Sequence, residues 1–292
     1  LWAIIFALAL LIWGYRKVLG KLRAKVEQNE IPVAKSESFT ETELDRYARH
    51  IIIREVGGPG QKALRNARVL VVGAGGLGAP ALQYLAAAGV GTIGVFDDDV
   101  VENANLQRQI ILLDRRIGMP QVQSAAEAMS AQNPFVSVRP YHRRLDAQIA
   151  AELFAEYDLV LDGSDNFATR YLVNETAVAT GTPLIAAALT QWEGQISLYD
   201  PAHDTPCYAC VFPSPPDPSL VPSCAEAGVI GPLPGVLGAM MAVEAVKHIT
   251  GAGEGLGGRL LIYDALYAQV RTNAIKSDRN CPVCHGRGAS AG

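Results

Sequence analysis

Four of the chain's five cysteines fall into two C-x-x-C pairs, Cys207-Tyr-Ala-Cys210 and Cys281-Pro-Val-Cys284, with 70 residues between the pairs. Two such knuckles supply the four thiolates of a tetrahedral structural zinc site and leave no open coordination position for catalysis. In a reducing compartment the pattern points to metal and away from disulfides. Zn2+ is therefore expected on Cys207, Cys210, Cys281 and Cys284, with His203 and His285 near the knuckles but not on the metal. Cys224 is left over, just after a stretch, 211–222, that contains five prolines and reads as a long exposed loop. An unpaired thiol there is either a nucleophile or an inert small hydrophobe.

A second group lies earlier in the chain. The apolar run at 69–72 leads into Gly73-Ala-Gly75-Gly76-Leu-Gly78 and then into a helical stretch. That is the strand, turn and helix context of a dinucleotide fingerprint. Glycines let backbone N–H groups approach a phosphate, and the helix N-terminus adds partial positive charge. Asp97 follows Gly78 by 19 residues, at the end of the next apolar run, where a carboxylate accepts from ribose hydroxyls. These residues suit NAD as well as ATP.

The elements that must carry these groups alternate. From Arg68 onward, short apolar runs (VLVV, TIGVF, VSVRP, DLVLD) are interleaved with helical stretches (PALQYLAAAG, MPQVQSAAEAMSAQ, DAQIAAELFAEY, NFATRYLVNETAVATG). This predicts an α/β, Rossmann-like, doubly wound and mostly parallel sheet. After PLIAAAL, the runs GQISLYD, RLLIYDAL and AQVRTNAI extend it with antiparallel C-terminal strands, with one helix near 235–250. Thr40 and Glu43 have the form of a capping box that opens a helix through Leu44, Tyr47 and Ala48. Upstream, residues 1–25 read as a membrane anchor: an apolar run to Trp13, then Arg16, Lys17, Lys21, Arg23 and Lys25 as a basic flank. Residues 26–38 read as a linker and 39–292 as the catalytic domain. The expected placement is a single-pass protein of the inner (cytoplasmic) membrane with its domain in the cytoplasm. A net charge of -4 and a pI near 5.8 argue against a nucleic-acid binder with a general basic surface, while leaving room for a local anion site.

The stretch after Asp97 decides between nucleotides. Asp99-Val-Val-Glu-Asn-Ala-Asn105-Leu106-Gln107-Arg108-Gln109 resembles the D-x-V…N-L-Q-R-Q signature of the MoeB/ThiF (HesA) family of ubiquitin-activating-enzyme-like adenylyltransferases. Further landmarks occur in family order: RYARHIIIREVGGPGQKAL at 46–64, Asp162-Gly-Ser-Asp165-Asn166, Glu193-Gly-Gln195, both cysteine pairs, and Ser223-Cys224-Ala-Glu-Ala-Gly228. The resemblance implies ATP-dependent adenylylation of the C-terminal Gly-Gly carboxylate of a ubiquitin-like sulfur-carrier protein, in a molybdopterin, thiamin thiazole or similar pathway. It implies a nucleotide site at Gly73, Gly75, Gly76, Gly78, Asp97, Asn105, Leu106, Gln107, Arg108, Gln121, Asp165 and Asn166. Arg108 and Asn105 would serve the phosphates, and Asp165 would hold Mg2+. Arg49 would reach the ATP site of a partner protomer, making the protein a homodimer; otherwise it is a solvated helix residue. Asp162 suits a turn cap as readily as a functional role. Cys224 would attack the acyl-adenylate. No rhodanese-like domain is read after Cys284, so a separate sulfur-donor protein is expected.

One departure stands out. Where the family pattern G-x-P-K places a phosphate-binding lysine, this chain has Gly118-Met-Pro120-Gln121. Either Arg115 or Arg116 fills the gap, or adenylation is weak and the protein serves as a membrane-tethered carrier-binding platform. An NAD-dependent oxidoreductase, or activation of a carboxylate on modified tRNA, are the remaining alternatives.

Overall fold

The computed structural model describes residues 38–216 and 227–284. The apolar runs are strands β1 (Arg68–Val72), β2 (Thr92–Asp97), β3 (Ser137–His142), β4 (Leu159–Asp162), β5 (Leu184–Thr190), β6 (Glu193–Tyr199), β7 (Arg259–Asp264) and β8 (Gln269–Ala274). They form one sheet in the order β3-β2-β1-β4-β5-β6-β7-β8. The first five in that order are parallel, and β6, β7 and β8 are added antiparallel. The sheet is thus the expected Rossmann-like one with its antiparallel extension. The chain winds from β1 outward to β3, then returns to lay β4 on the other side of β1. At such a reversal a crevice opens beyond the carboxyl ends of the strands, and ligands bind there.

The helices are α1 (Glu41–Ile51), α2 (Gly57–Asn66), α3 (Gly78–Ala88), α4 (Gln121–Gln132), α5 (Ala147–Phe154), α6 (Phe167–Thr180), the single turn α7 (Tyr208–Val211) and α8 (Pro232–Thr250). Alternate residues of β1 enter separate cores. Val69 and Val71 pack with α3, α4 and α8 residues such as Leu82, Met129 and Leu237. Leu70 and Val72 pack with Phe154 and Val173 from α5 and α6. A parallel strand covered on both faces must be apolar throughout, which is why RVLVV does not alternate. Close approach of α8 to α3 needs Gly238, where a Cβ would overlap the Leu77 carbonyl and the Pro80 ring.

The capping box is formed as expected. The Thr40 N–H donates to Glu43 Oε2 at 2.8 Å, and the Glu43 N–H donates to Thr40 Oγ1 at 3.2 Å. Helix α2 was not anticipated, because GGPGQKAL carries two helix-weakening residue types in its first turn. Pro59 sits where its missing N–H costs nothing, and the rest of the helix packs by Leu64.

The membrane placement needs correction. Among the described residues no helix is long and apolar enough to cross a membrane. The run 1–25 on which that expectation rested, and the linker up to residue 37, lie outside the described residues.

Candidate functional site

The turn after β1 is built by backbone geometry that side chains would block. Gly73 has φ +95°, a left-handed value, and a Cβ on it would press on the Gly163 carbonyl at the end of β4. A Cβ on Gly78 would overlap the Gly73 carbonyl. Asp97, at the tip of β2, ties this turn down: its Oδ2 accepts the Ala74 N–H at 2.7 Å and its Oδ1 accepts the Asp99 N–H at 2.9 Å. Burial raises the pKa of its carboxyl above the ordinary range, and those two N–H donors pull in the opposite direction. Asp99 is also raised, by burial first and then by the charges of Asp98 and Asp165. Asp97, Asp98 and Asp99 bring their oxygens close enough together to share a cation.

A cleft of 920 Å³ lies over this turn, at the upper end of the range for small-molecule sites. Gly73, Gly75, Gly76, Asp97, Arg108, Gln121, Asp165 and Asn166 line it, so eight of the expected residues converge there. Gly78 does not line it but shapes the turn. Asn105, Leu106 and Gln107 do not line it either. The carbonyl of Asn105 accepts the N–H groups of Arg108 and Gln109, Leu106 packs on the core, and Gln107 is turned toward Gly231. Only the last two residues of N-L-Q-R-Q therefore reach the cleft. Arg49 is exposed on α1 and lies outside the cleft, and Cys224 falls outside the described residues.

The departure at position 121 is now physical. Gln121 is 1% exposed at the first turn of α4, where Nε2 donates to the Val100 carbonyl at 3.2 Å and Oε1 has no partner among the described residues. Gln109 Oε1 is likewise buried and unpartnered. Buried amide oxygens left bare are costly, and two of them lining one cleft fit a site that a polar ligand completes. Arg116 does not fill the lysine's place. Its guanidinium pairs with Glu127 at 2.9 Å and donates to the Ser124 carbonyl at 2.8 Å, and Arg115 is exposed outside the cleft. Among the described residues, the cations that line the cleft are Arg108, Arg144 and Arg170. Gln109, Arg144 and Arg170 had no site role assigned from sequence, although Gln109 stood inside the quoted signature.

The turn after β4 is equally ordered. Asn166 caps α6 by accepting the Thr169 N–H at 2.9 Å. Asp162 is fully buried: its Oδ1 accepts the Ser164 N–H and hydroxyl at 2.9 and 2.6 Å, and its Oδ2 faces the Arg170 guanidinium at 3.6 Å. It is a turn-holding group, and Asp165 beside it faces the cleft.

The two C-x-x-C pairs meet. Cys207 Sγ lies 3.8 Å from Cys210 and 3.6 Å from Cys281, and Cys210 lies 3.4 Å from Cys284. All four sulfurs lie within 4.8 Å of one another. A zinc ion with Zn–S bonds of about 2.3 Å requires tetrahedral edges of about 3.8 Å, so the donor set fits that metal. Burial and the neighbouring thiols push the Cys207 thiol well above its ordinary pKa.

A model of the ThiF family matches residues 47–283. The chain belongs to the ThiF family. This ThiF-family chain is 50% identical over 252 residues to the sulfur carrier protein adenylyltransferase of Thermus thermophilus, covering 84% of this chain and 92% of the relative. It is 50% identical over 247 residues to the SAMP-activating enzyme E1 of Haloferax volcanii, covering 85% and 91%. It is 49% identical over 255 residues to the probable adenylyltransferase/sulfurtransferase MoeZ of Mycobacterium tuberculosis, covering 86% of this chain and 64% of that one. Among solved structures, E. coli MccB with ATP superposes with a TM-score of 0.72 at 24% identity, covering 82% of this chain and 74% of MccB, a likeness of fold.

Proposed function

We propose that residues 39–292 of this ThiF-family chain use ATP to adenylylate the C-terminal Gly-Gly carboxylate of a ubiquitin-like sulfur-carrier protein. One observation carries the reading: a single cleft runs from the glycine turn and Asp97 to Ala188, Thr190 and Gly194 on β5 and β6. A triphosphate at one end and an extended peptide tail at the other would share it. The adenylyltransferase names of relatives at half identity support the same chemistry.

In this reading a carboxylate oxygen of the tail attacks the α-phosphorus of ATP. A P–O bond forms, the bond to the β-phosphate bridge breaks, and pyrophosphate leaves. The N-terminal N–H groups of α3 and the Arg108 guanidinium take up charge on the phosphates, where preorganised donors act most strongly. Asp97 accepts from the ribose. Mg2+, which would be held by Asp165 with help from the neighbouring acids, supplies charge neutralisation when bound. Zn2+ on the four cysteines is assigned a structural role. The Cys224 thiol is assigned the following step, attack on the acyl-adenylate carbonyl with release of AMP, before sulfur arrives from a separate donor protein.

The test is carrier-dependent incorporation of labelled pyrophosphate into ATP. No incorporation with any Gly-Gly carrier, together with no heat on mixing ATP and magnesium, would sink the reading. The buried, uncharged Gln121 favours a second reading, a carrier-binding platform with weak turnover. Gln121→Lys is expected to raise exchange about tenfold if the missing cation limits the rate, since one preorganised contact to the phosphates is worth about 10²- to 10³-fold at most. Unchanged exchange means that Arg108 and its neighbours suffice.

Arg49 belongs to the same proposal. Exposed and outside its own cleft, it is assigned to the nucleotide site of a second copy in a homodimer. Mixing inactive Arg49→Ala and Asp165→Ala proteins is then expected to restore about a quarter of native exchange, because half of the random dimers regain one complete site. Failure to recover any activity on subunit exchange removes the shared site.

A further inference from the structure

Helix α6 joins the four-cysteine centre to the turn that presents Asp165. Its cap, Asn166, is the last residue of that turn. One turn in, Arg170 is 5% exposed and donates through Nη2 to the Ser164 carbonyl at 2.7 Å, while Nη1 lies 3.6 Å from buried Asp162. One turn further, Asn174 is buried on the same face. Its Oδ1 accepts the Tyr208 N–H at 2.8 Å, and its Nδ2 donates to Cys207 Sγ at 3.9 Å.

The knuckle answers from its side. Helix α7 begins at Tyr208, directly after Cys207, and places the Tyr208 ring beneath the Arg170 guanidinium at 5.7 Å. That ring is fixed by three others: Tyr171 and Tyr199 edge-on at 5.5 and 5.8 Å, and Phe212 tilted at 4.8 Å. Tyr171 also donates to the Phe212 carbonyl at 2.8 Å. Tyr208, Arg170, Ser164 and Asp165 all line the cleft. A buried guanidinium with a carbonyl, a carboxylate and an aromatic face as its surroundings has few alternative positions, so it transmits a displacement of any one of them.

We infer that Arg170 and Asn174 are positioning residues for adenylylation, through which the cysteine centre holds the Gly163–Asn166 turn, and with it Asp165, in place over the nucleotide. The inference rests on the proposed function for its kinetic consequence but not for its structural one. The geometry makes the centre more than a staple: its state reaches the reacting end of the cleft through two contacts of one helix.

The experiment compares native protein with Arg170→Met, Arg170→Lys and Asn174→Ala, each checked for bound zinc and for a cooperative thermal transition. Hydrogen exchange of the amides at 163–166 is read against those of the glycine turn at 73–78. Arg170→Met and Asn174→Ala are expected to exchange at least tenfold faster at 163–166 with the glycine turn unchanged, and to need about tenfold more Mg2+ for half-maximal pyrophosphate exchange, with KM for the carrier unchanged. Arg170→Lys is expected to recover part of both effects. Mild chelation of native protein is expected to loosen 163–166 in the same way, and it decides the matter if the variants fail to fold. Native protection at 163–166 after zinc removal, or native protection and Mg2+ dependence in a zinc-loaded Arg170→Met, overturns the inference. If native protein shows no pyrophosphate exchange, the functional reading fails while the amide measurement still decides the relay.

Discussion

Arg108→Ala is expected to lower carrier-dependent pyrophosphate exchange by about 10²- to 10³-fold, the loss seen when one preorganised electrostatic donor is removed from a reacting centre. The expectation follows from what the cleft holds. Arg116 is occupied by Glu127 and Ser124, Arg170 by Asp162 and Ser164, and position 121 carries no charge, so on the proposed function Arg108 would share the neutralising of phosphate with Arg144 alone among the described cations of the cleft. Its Nη1 donates to the Ala104 carbonyl at 3.0 Å, which steadies the side chain at the cleft wall beside Gly76. Arg108→Lys keeps the charge but loses the planar fork, and an intermediate loss is expected. The check is exchange at saturating ATP and carrier. A fall of less than about threefold in Arg108→Ala would place the phosphate contacts elsewhere, with Arg144 the next residue to replace.

Cys281→Ser, or chelation of the native protein, is expected to lower the thermal midpoint by about 10–15 °C. Cys207 and Cys281 are 74 residues apart in sequence and 3.6 Å apart at their sulfurs. Freeing a closed loop of that length returns about 4–5 kcal/mol of chain entropy to the unfolded state. For a domain of this size each kcal/mol moves the midpoint by roughly 2–4 °C. A metal on the four cysteines would matter here because the local core is small: among the described residues, Val178 and Ala209 join the buried cysteines, with Val283 packed against them. Differential scanning calorimetry with and without chelator measures the shift, and metal analysis of the purified protein measures the ion. An unchanged midpoint after full chelation would mean that the strands β7 and β8 are held by their sheet partners alone.

Much of this protein is determined locally and is therefore written in its sequence. Short valine- and leucine-rich runs between helical stretches specify a doubly wound sheet, because parallel strands covered on both faces admit nothing else. Gly78 is fixed by the nearby Gly73 carbonyl, which leaves no room for a Cβ, and each C-x-x-C pair carries its metal-ligand spacing within four residues. Thr40 and Glu43 close their box within one turn of chain. The tertiary structure decided the rest, wherever a side chain's direction depends on distant packing. In the irregular turn 103–109 no period tells which residues face the cleft. Leu106 goes to the core and Gln107 to Gly231, leaving Arg108 and Gln109 to line the cleft. Arg116 stands close in sequence to the missing lysine, yet Glu127 of α4 claims it at 2.9 Å. Arg170 looks in sequence like any arginine on a helix. Only the meeting of β4, α6 and the knuckle at one point makes it a buried, partnered charge, since burying it requires partners from two distant parts of the chain, Asp162 and Ser164 after β4 and Tyr208 at the knuckle.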